Sequence, residues 1–265
     1  MAAEGKRMQG ALETFLAGGV LAFLLTFTRI GTAIMIMPGL GDSFVSQRVR
    51  LHMALGISFV LFPVVLPYMP SPIPATFALV TLILMELVIG VLFGTVARIF
   101  MIALDTAGMI ISMQSGLSNA QVFNPSLATQ GSIMGAFLSM TGVMLLFALN
   151  LHHLLIIGVV ESYELFPLGS IPDTGSMAEF VSQALSASFL VGVKLATPFI
   201  VMTLLIYVGM GVLSRLMPQI QVFMVALPLQ ILLSIVLFFL ATAAIFSYWV
   251  GEFEAGMMFF LSSGG

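Results

Sequence analysis

The chain has 265 residues, 60% of them hydrophobic and only 7% charged, with a mean hydropathy of +1.18. Soluble domains carry about 25% charged residues, so too few are present to cover a water-facing surface, and the surrounding solvent is lipid. A net charge of -3, with only eight Lys and Arg, excludes the basic footprint that nucleic acid requires, and the absence of cysteine excludes disulfides, thiolate metal sites and thiol nucleophiles.

A helix needs about 20 apolar residues to cross a hydrocarbon core, and about six such runs stand out. They lie near residues 12–37, 51–68, 75–104, 132–160, 181–209 and 222–250. The first follows Lys6 and Arg7, but it is longer than a secretory signal and lacks a small-x-small exit, so it reads as a retained helix. Pro63, Pro67, Pro70, Pro72 and Pro74 predict a stiff, extended connection after the second run. Pro198 and Pro228 lie inside the fifth and sixth runs and predict helices that kink or split, with protein or a wet cavity receiving the freed backbone.

Orientation follows from the positive residues of the short connections. Arg48 and Arg50 lie after the first run and Arg215 between the fifth and sixth, whereas Glu161, Glu164, Asp173 and Glu179 make the connection at 161–179 purely acidic. The arginines are expected inside, with the acidic connection and both termini outside. Lys6 and Arg7 vote the other way, but they share a short tail with Glu4 and Glu13.

Enzyme signatures are missing. Gly116 to Ala120 falls short of a nucleophile elbow, because no strand precedes it and no glycine ends it. His152 and His153 are adjacent, so a helix points them about 100° apart, unlike an i, i+4 ligand pair. The expectation is a protein with no catalytic residues, no cofactor and no metal.

Ionisable residues in apolar runs carry more information, since each costs a few kcal/mol at the membrane centre unless it meets a partner or a cavity. Glu86 and Lys194 are the deepest and are expected to pair across the third and fifth helices. Arg98 and Asp105 are seven apart, about 10 Å of helical rise, too far for an easy contact. Arg29, near a helix end, reads as a snorkelling side chain. The spacings Gly90-x-x-x-Gly94 and Gly131-x-x-x-Gly135 suit close helix approach in lipid. Residues 105–132 turn small and polar, with no charge after Asp105, which suits the lining or stopper of a wet channel. Met109, Met113 and Phe123 are available beside it as an adaptable seal.

Several segments resemble a known family. The clearest runs from Gly211 through Arg215, Leu216, Met217, Pro218, Gln219, Ile220 and Gln221 to Phe223, followed by Ala226-Leu227-Pro228-Leu229. Arg29 with Met37-Pro38-Gly39, the stretch from Glu86 to Gly90 with Gly94, and Gly116-Leu117-Ser118 ending in Asn124-Pro125 add to it. Together they resemble the FliR family of flagellar export-gate proteins, whose injectisome relatives are called SctT. Asn124 departs from the Asp that some relatives carry before the proline.

The resemblance implies an all-α, polytopic integral membrane protein of about six long, partly kinked helices arranged as hairpins. Residues 1–175 would be a FliP-like region containing the pore-plug loop 105–132, and residues 176–265 a FliQ-like hairpin. It further implies a non-enzymatic component of the type III secretion export gate in the bacterial inner membrane at the flagellar basal body. FliP-like and FliQ-like subunits would be its partners, with an FlhB-like subunit at the gate and unfolded secreted proteins as cargo, and assembled gates hold their hairpins partly above the membrane plane. The plug would comprise Gly116, Leu117, Ser118, Asn119, Ala120, Gln121, Val122, Phe123, Asn124 and Pro125, with Met109 and Met113 as gasket candidates. Arg215, Pro218, Gln219 and Pro228 would mark the hairpin. The rival reading is a small ion-coupled secondary transporter using Glu86, Lys194 and a break at Pro198, but no matching inverted halves are visible.

Overall fold

The computed structural model describes residues 18–68, 76–118, 132–169, 174–217 and 222–262. Its helices are α1 (Gly18–Ile36, with a π-helical turn at Phe27–Gly31), α2 (Gln47–Val65, ending in the 3-10 turn Leu66–Tyr68) and α3 (Thr76–Gln114). They continue as α4 (Ile133–Ala148), α5 (Leu151–Leu165), α6 (Thr174–Leu216) and α7 (Val222–Ser262), and no strand occurs among the described residues. Among the described residues, five helices are long and apolar enough to cross a membrane, and α4 with α5 makes a sixth span if that bent pair crosses as one. The fold is therefore the all-α, polytopic membrane class expected.

Local chemistry explains several boundaries. The hydroxyl of Ser132 caps α4 by accepting the Gly135 N–H at 3.0 Å. The expected single helix over 132–160 is broken by a 76° bend between α4 and α5. Asn150 sits there at φ 60, a left-handed conformation that asparagine tolerates better than most residues.

Three helices outrun their apolar cores. α3, α6 and α7 have 39, 43 and 41 residues, roughly 60 Å each, about twice the hydrocarbon thickness. Two expectations change accordingly. Residues 105–114 are not loop but the last turns of α3, since a helix satisfies its own backbone whatever its side chains. Of the kink or split expected at Pro198 and Pro228, the split does not occur: both lie inside continuous helices, because each withdraws one N–H while the flanking turns keep theirs. Pro63 is likewise inside α2 and Pro67 in the 3-10 turn; Pro70, Pro72 and Pro74 lie outside the described residues.

The chain packs as two units. The first comprises Met1–Arg98, Asn150–Val181 and Met257–Gly265, and the second Ile99–Leu149 and Ser182–Gly256. These units are defined by packing, whereas the division at 175/176 rests on resemblance.

In the first unit, α3 lies on α1 through Gly90 and Gly94. A Cβ at Gly90 would strike the Arg29 carbonyl oxygen, and one at Gly94 would stand 2.8 Å from the Ala33 oxygen. Phe23 packs edge-on against Phe59 and Phe62 of α2. The α1–α2 turn is held by Arg50, which donates to the Gly41 and Val45 carbonyls, and by Asp42, which accepts the Gly39 N–H. Arg98 donates to the Ile36 carbonyl and pairs with Asp42 at 2.9 Å.

In the second unit, the later turns of α3 meet α4 at Gly108 and Gly135, where a Cβ on Gly108 would overlap the Gly135 backbone. Gly192 brings α6 against α3, and a Cβ there would stand 2.9 Å from the Ala103 oxygen. Trp249, Phe253 and Phe199 are fully buried. Trp249 donates its indole N–H to the Phe100 carbonyl and Ser188 its hydroxyl to that of Ile99, so apolar and polar contacts fix the same register.

Candidate functional site

The second unit contains the two ends of the polar segment. α3 delivers it: Ser112 and Ser115 are buried on one side, while Met109 and Met113, one turn apart, are 57% and 68% exposed. After Gln114 the chain turns through Gly116, whose φ of 77 suits a residue without a Cβ. The helix end leaves carbonyls without helical donors, and the Gln114 oxygen receives two replacements. Thr203 of α6 donates to it at 2.8 Å and Gln230 of α7 at 2.5 Å.

The far end is tied as well. The Ser132 hydroxyl lies 2.7 Å from that of Ser112 and 3.0 Å from the Gly108 carbonyl oxygen, while also capping α4. Asp105, one turn before Gly108, accepts from the Ser139 hydroxyl of α4. Two strands of backbone, leaving at Gly116 and returning at Ser132, are thus pinned side by side. Leu117 and Ser118 are half-buried in the outgoing turn; Asn119, Ala120, Gln121, Val122, Phe123, Asn124 and Pro125 lie outside the described residues.

The first unit contains a buried charge cluster. Arg29 is 0% exposed and Glu86 1%, and they meet in a two-point contact: Nε to Oε2 at 2.6 Å and Nη2 to Oε1 at 2.8 Å. The remaining guanidinium N–H groups go to the Ser162 carbonyl and hydroxyl and the Phe166 carbonyl, at 3.0, 3.2 and 2.9 Å. The guanidinium also stacks 3.8 Å above the Tyr163 ring. Every donor of the side chain is engaged, so α1, α3 and α5 are joined at one point.

This arrangement corrects two sequence expectations. Glu86 takes Arg29 as its partner, not Lys194, and Arg29 does not snorkel. Lys194 is exposed on α6 and donates to the Tyr248 hydroxyl at 3.2 Å. Arg98 and Asp105 each have other partners, as their spacing requires. Arg215 is exposed in the last turn of α6 and Pro228 lies within α7, while Pro218 and Gln219 fall outside the described residues.

Sequence reasoning missed Thr203, Gln230, Ser132, Ser162 and the role of Arg29. A signal existed for the first two: Thr203 and Gln230 are buried polar side chains within apolar runs, and each needs a partner there. Among the described residues, no group of three or more His, Asp and Glu could hold a metal ion.

Comparison with known proteins now bears on the whole chain. Residues 20–256 match the family described as bacterial export proteins, family 1. A flagellar biosynthetic protein FliR of Caulobacter vibrioides is 40% identical over 231 residues, which is 87% of this chain and 92% of that protein. The FliR of Escherichia coli is 31% identical, covering 78% of each chain. The Yop proteins translocation protein T of Yersinia pestis is 28% identical over 80% of this chain and 82% of its own. The chain belongs to bacterial export proteins, family 1, the FliR/SctT family.

Proposed function

We propose that the chain is a component of the flagellar type III export gate, sits in the bacterial inner membrane at the basal body, and closes the gate's protein-conducting pore with the segment Gly116 to Pro125. The observation that carries the closure is the pinned base of that segment. Gln114 is held from two helices, and Ser112 meets Ser132 between the two ends, so the segment starts and finishes at fixed, neighbouring points. A stopper needs this combination of a rigid base and an uncharged tip, because a charge would trap a passing peptide or attract ions. Met109 and Met113 are exposed on the α3 turns that lead into the segment, and their unbranched thioethers can repack around a moving chain.

The flagellar system is favoured over the injectisome by 40% identity to a FliR against 28% to a Yop translocation protein. FliP-like and FliQ-like subunits are the proposed partners, residues 1–175 taking the FliP-like place and 176–265 the FliQ-like hairpin, with an FlhB-like subunit nearby and unfolded exported proteins as cargo. Helices about twice as long as the hydrocarbon core is thick, with exposed apolar faces, suit a subunit completed by neighbouring helices. The transporter reading loses its supports: Glu86 is saturated by Arg29, and Pro198 does not break α6.

Deletion of residues 116–130 tests the proposal. The complex should still assemble but conduct ions in planar bilayers, whereas equal, low conductance with and without the segment would overturn the plug.

A further inference from the structure

In the second unit, α6 and α7 run antiparallel, as three pairings show. Lys194 bonds Tyr248, Phe199 packs on Phe238, and Thr203 and Gln230 share the Gln114 carbonyl. Between them opens a cleft of about 310 Å³, within the usual range for small-molecule sites. Its two ends differ chemically. The Lys194 ammonium and the Tyr248 hydroxyl form one end, and Pro198, Ala241, Ala244 and Ile245 line the rest.

Charge makes this end incomplete. The hydrogen-bonding partner of Lys194 is a neutral phenol, and Glu252, one turn beyond Tyr248, acts on it through space without an ion pair among the described residues. The ammonium therefore lines the cleft with no carboxylate in contact.

Depth identifies the counter-charge. From Leu195 to Leu216 the only charged residue is Arg215, and from Val222 to Gly251 there is none. That length of α6 is roughly 33 Å, close to the hydrocarbon thickness. Beyond this level lie Ser188, Ser186 and Gln183 on α6, and Glu252 and Glu254 on α7. Exposed lysine and tyrosine, as at Lys194 and Tyr248, are residues that anchor helices at the headgroup level. A polar end of this kind suits the level of lipid phosphates, and apolar walls suit acyl chains.

We propose that this cleft binds an anionic phospholipid, with its phosphate on Lys194 and Tyr248 and an acyl chain along Pro198, Ala241, Ala244 and Ile245. The site is independent of the plug and goes beyond it. The small side chains of Ala241 and Ala244 leave the channel for the acyl chain, and Lys194 supplies the selectivity for negative charge.

The test uses the full chain in nanodiscs of mixed phosphatidylcholine and phosphatidylglycerol, with retained lipid quantified by mass spectrometry after transfer to detergent. Phosphatidylglycerol should be retained over phosphatidylcholine by about tenfold, because both offer a phosphate but only phosphatidylcholine sets a quaternary ammonium beside Lys194. Lys194→Met should abolish that preference and Lys194→Arg keep it. Ala244→Leu, which fills the groove, should lower retention of both lipids, and excess inorganic phosphate should not displace the bound lipid. Thermal melting equal to the unmodified chain shows which variants are folded. Absence of enrichment, or enrichment surviving Lys194→Met, overturns the proposal. So does a photo-crosslinking residue at position 241 that captures a partner subunit instead of lipid in the assembled complex.

Discussion

Removing the Glu86 carboxylate tests the physics of the charge cluster most sharply. In Glu86→Leu the guanidinium of Arg29 loses two of five hydrogen bonds and its only charged partner among the described residues while remaining 0% exposed. It cannot shed its proton, so a buried, uncompensated charge remains. Breaking such a pair from one side costs about 3–5 kcal/mol, or roughly two to four orders of magnitude in the folding equilibrium. The double variant Arg29→Met with Glu86→Leu removes both charges. The Ser162 carbonyl then keeps the Phe166 N–H, 2.9 Å away, and the Phe166 carbonyl loses the guanidinium as its donor. One such acceptor costs about 1–3 kcal/mol, so the double variant should be more stable than Glu86→Leu alone. Denaturant titration of the four proteins in detergent micelles measures the cycle. Costs that add to within about 0.5 kcal/mol would refute the reasoning, because independent sites behave that way and a closed pair does not.

Replacing Gly90 by Ala should lower the melting temperature of the full chain, because its Cβ would meet the Arg29 carbonyl oxygen, whereas Gly209→Ala, with open space around it, should not. Thr203→Val with Gln230→Leu removes both donors to the Gln114 carbonyl, at about 1 kcal/mol each; single-channel recording should then show more frequent opening in assembled complexes, and unchanged gating would separate the segment from its anchor. Reporter fusions after residues 172 and 254 should both read as non-cytoplasmic. If α4 and α5 instead re-enter on one side, Arg215 would lie opposite Arg48 and Arg50, and the fusion after 172 would read as cytoplasmic.

The sequence by itself determined the solvent and the class of fold. With 7% charge and about six apolar runs, no water-soluble surface could form, and in lipid the backbone must satisfy itself as helix. The motif around Arg215 and Pro228 was also legible, because a family resemblance lives in residue order and needs no coordinates. What each buried polar group touches was not legible. Glu86 announced that it needed a partner, but the sequence pointed to Lys194, and the pairing with Arg29 depends on how α1 and α3 are rotated where Gly90 lets them touch. The continuation of α3 past Asp105 and of α6 through Pro198 was decided in the same way, by packing, since local propensity is worth about 1 kcal/mol per residue, or 3 for proline, and burial along a long helix outweighs it. Thr203 and Gln230 come from helices far along the chain, and only the folded arrangement brings both to the carbonyl of Gln114. Hydrogen bonds act over about 3 Å, so a shift of one helical residue would abolish them, and no local pattern records a register that fine.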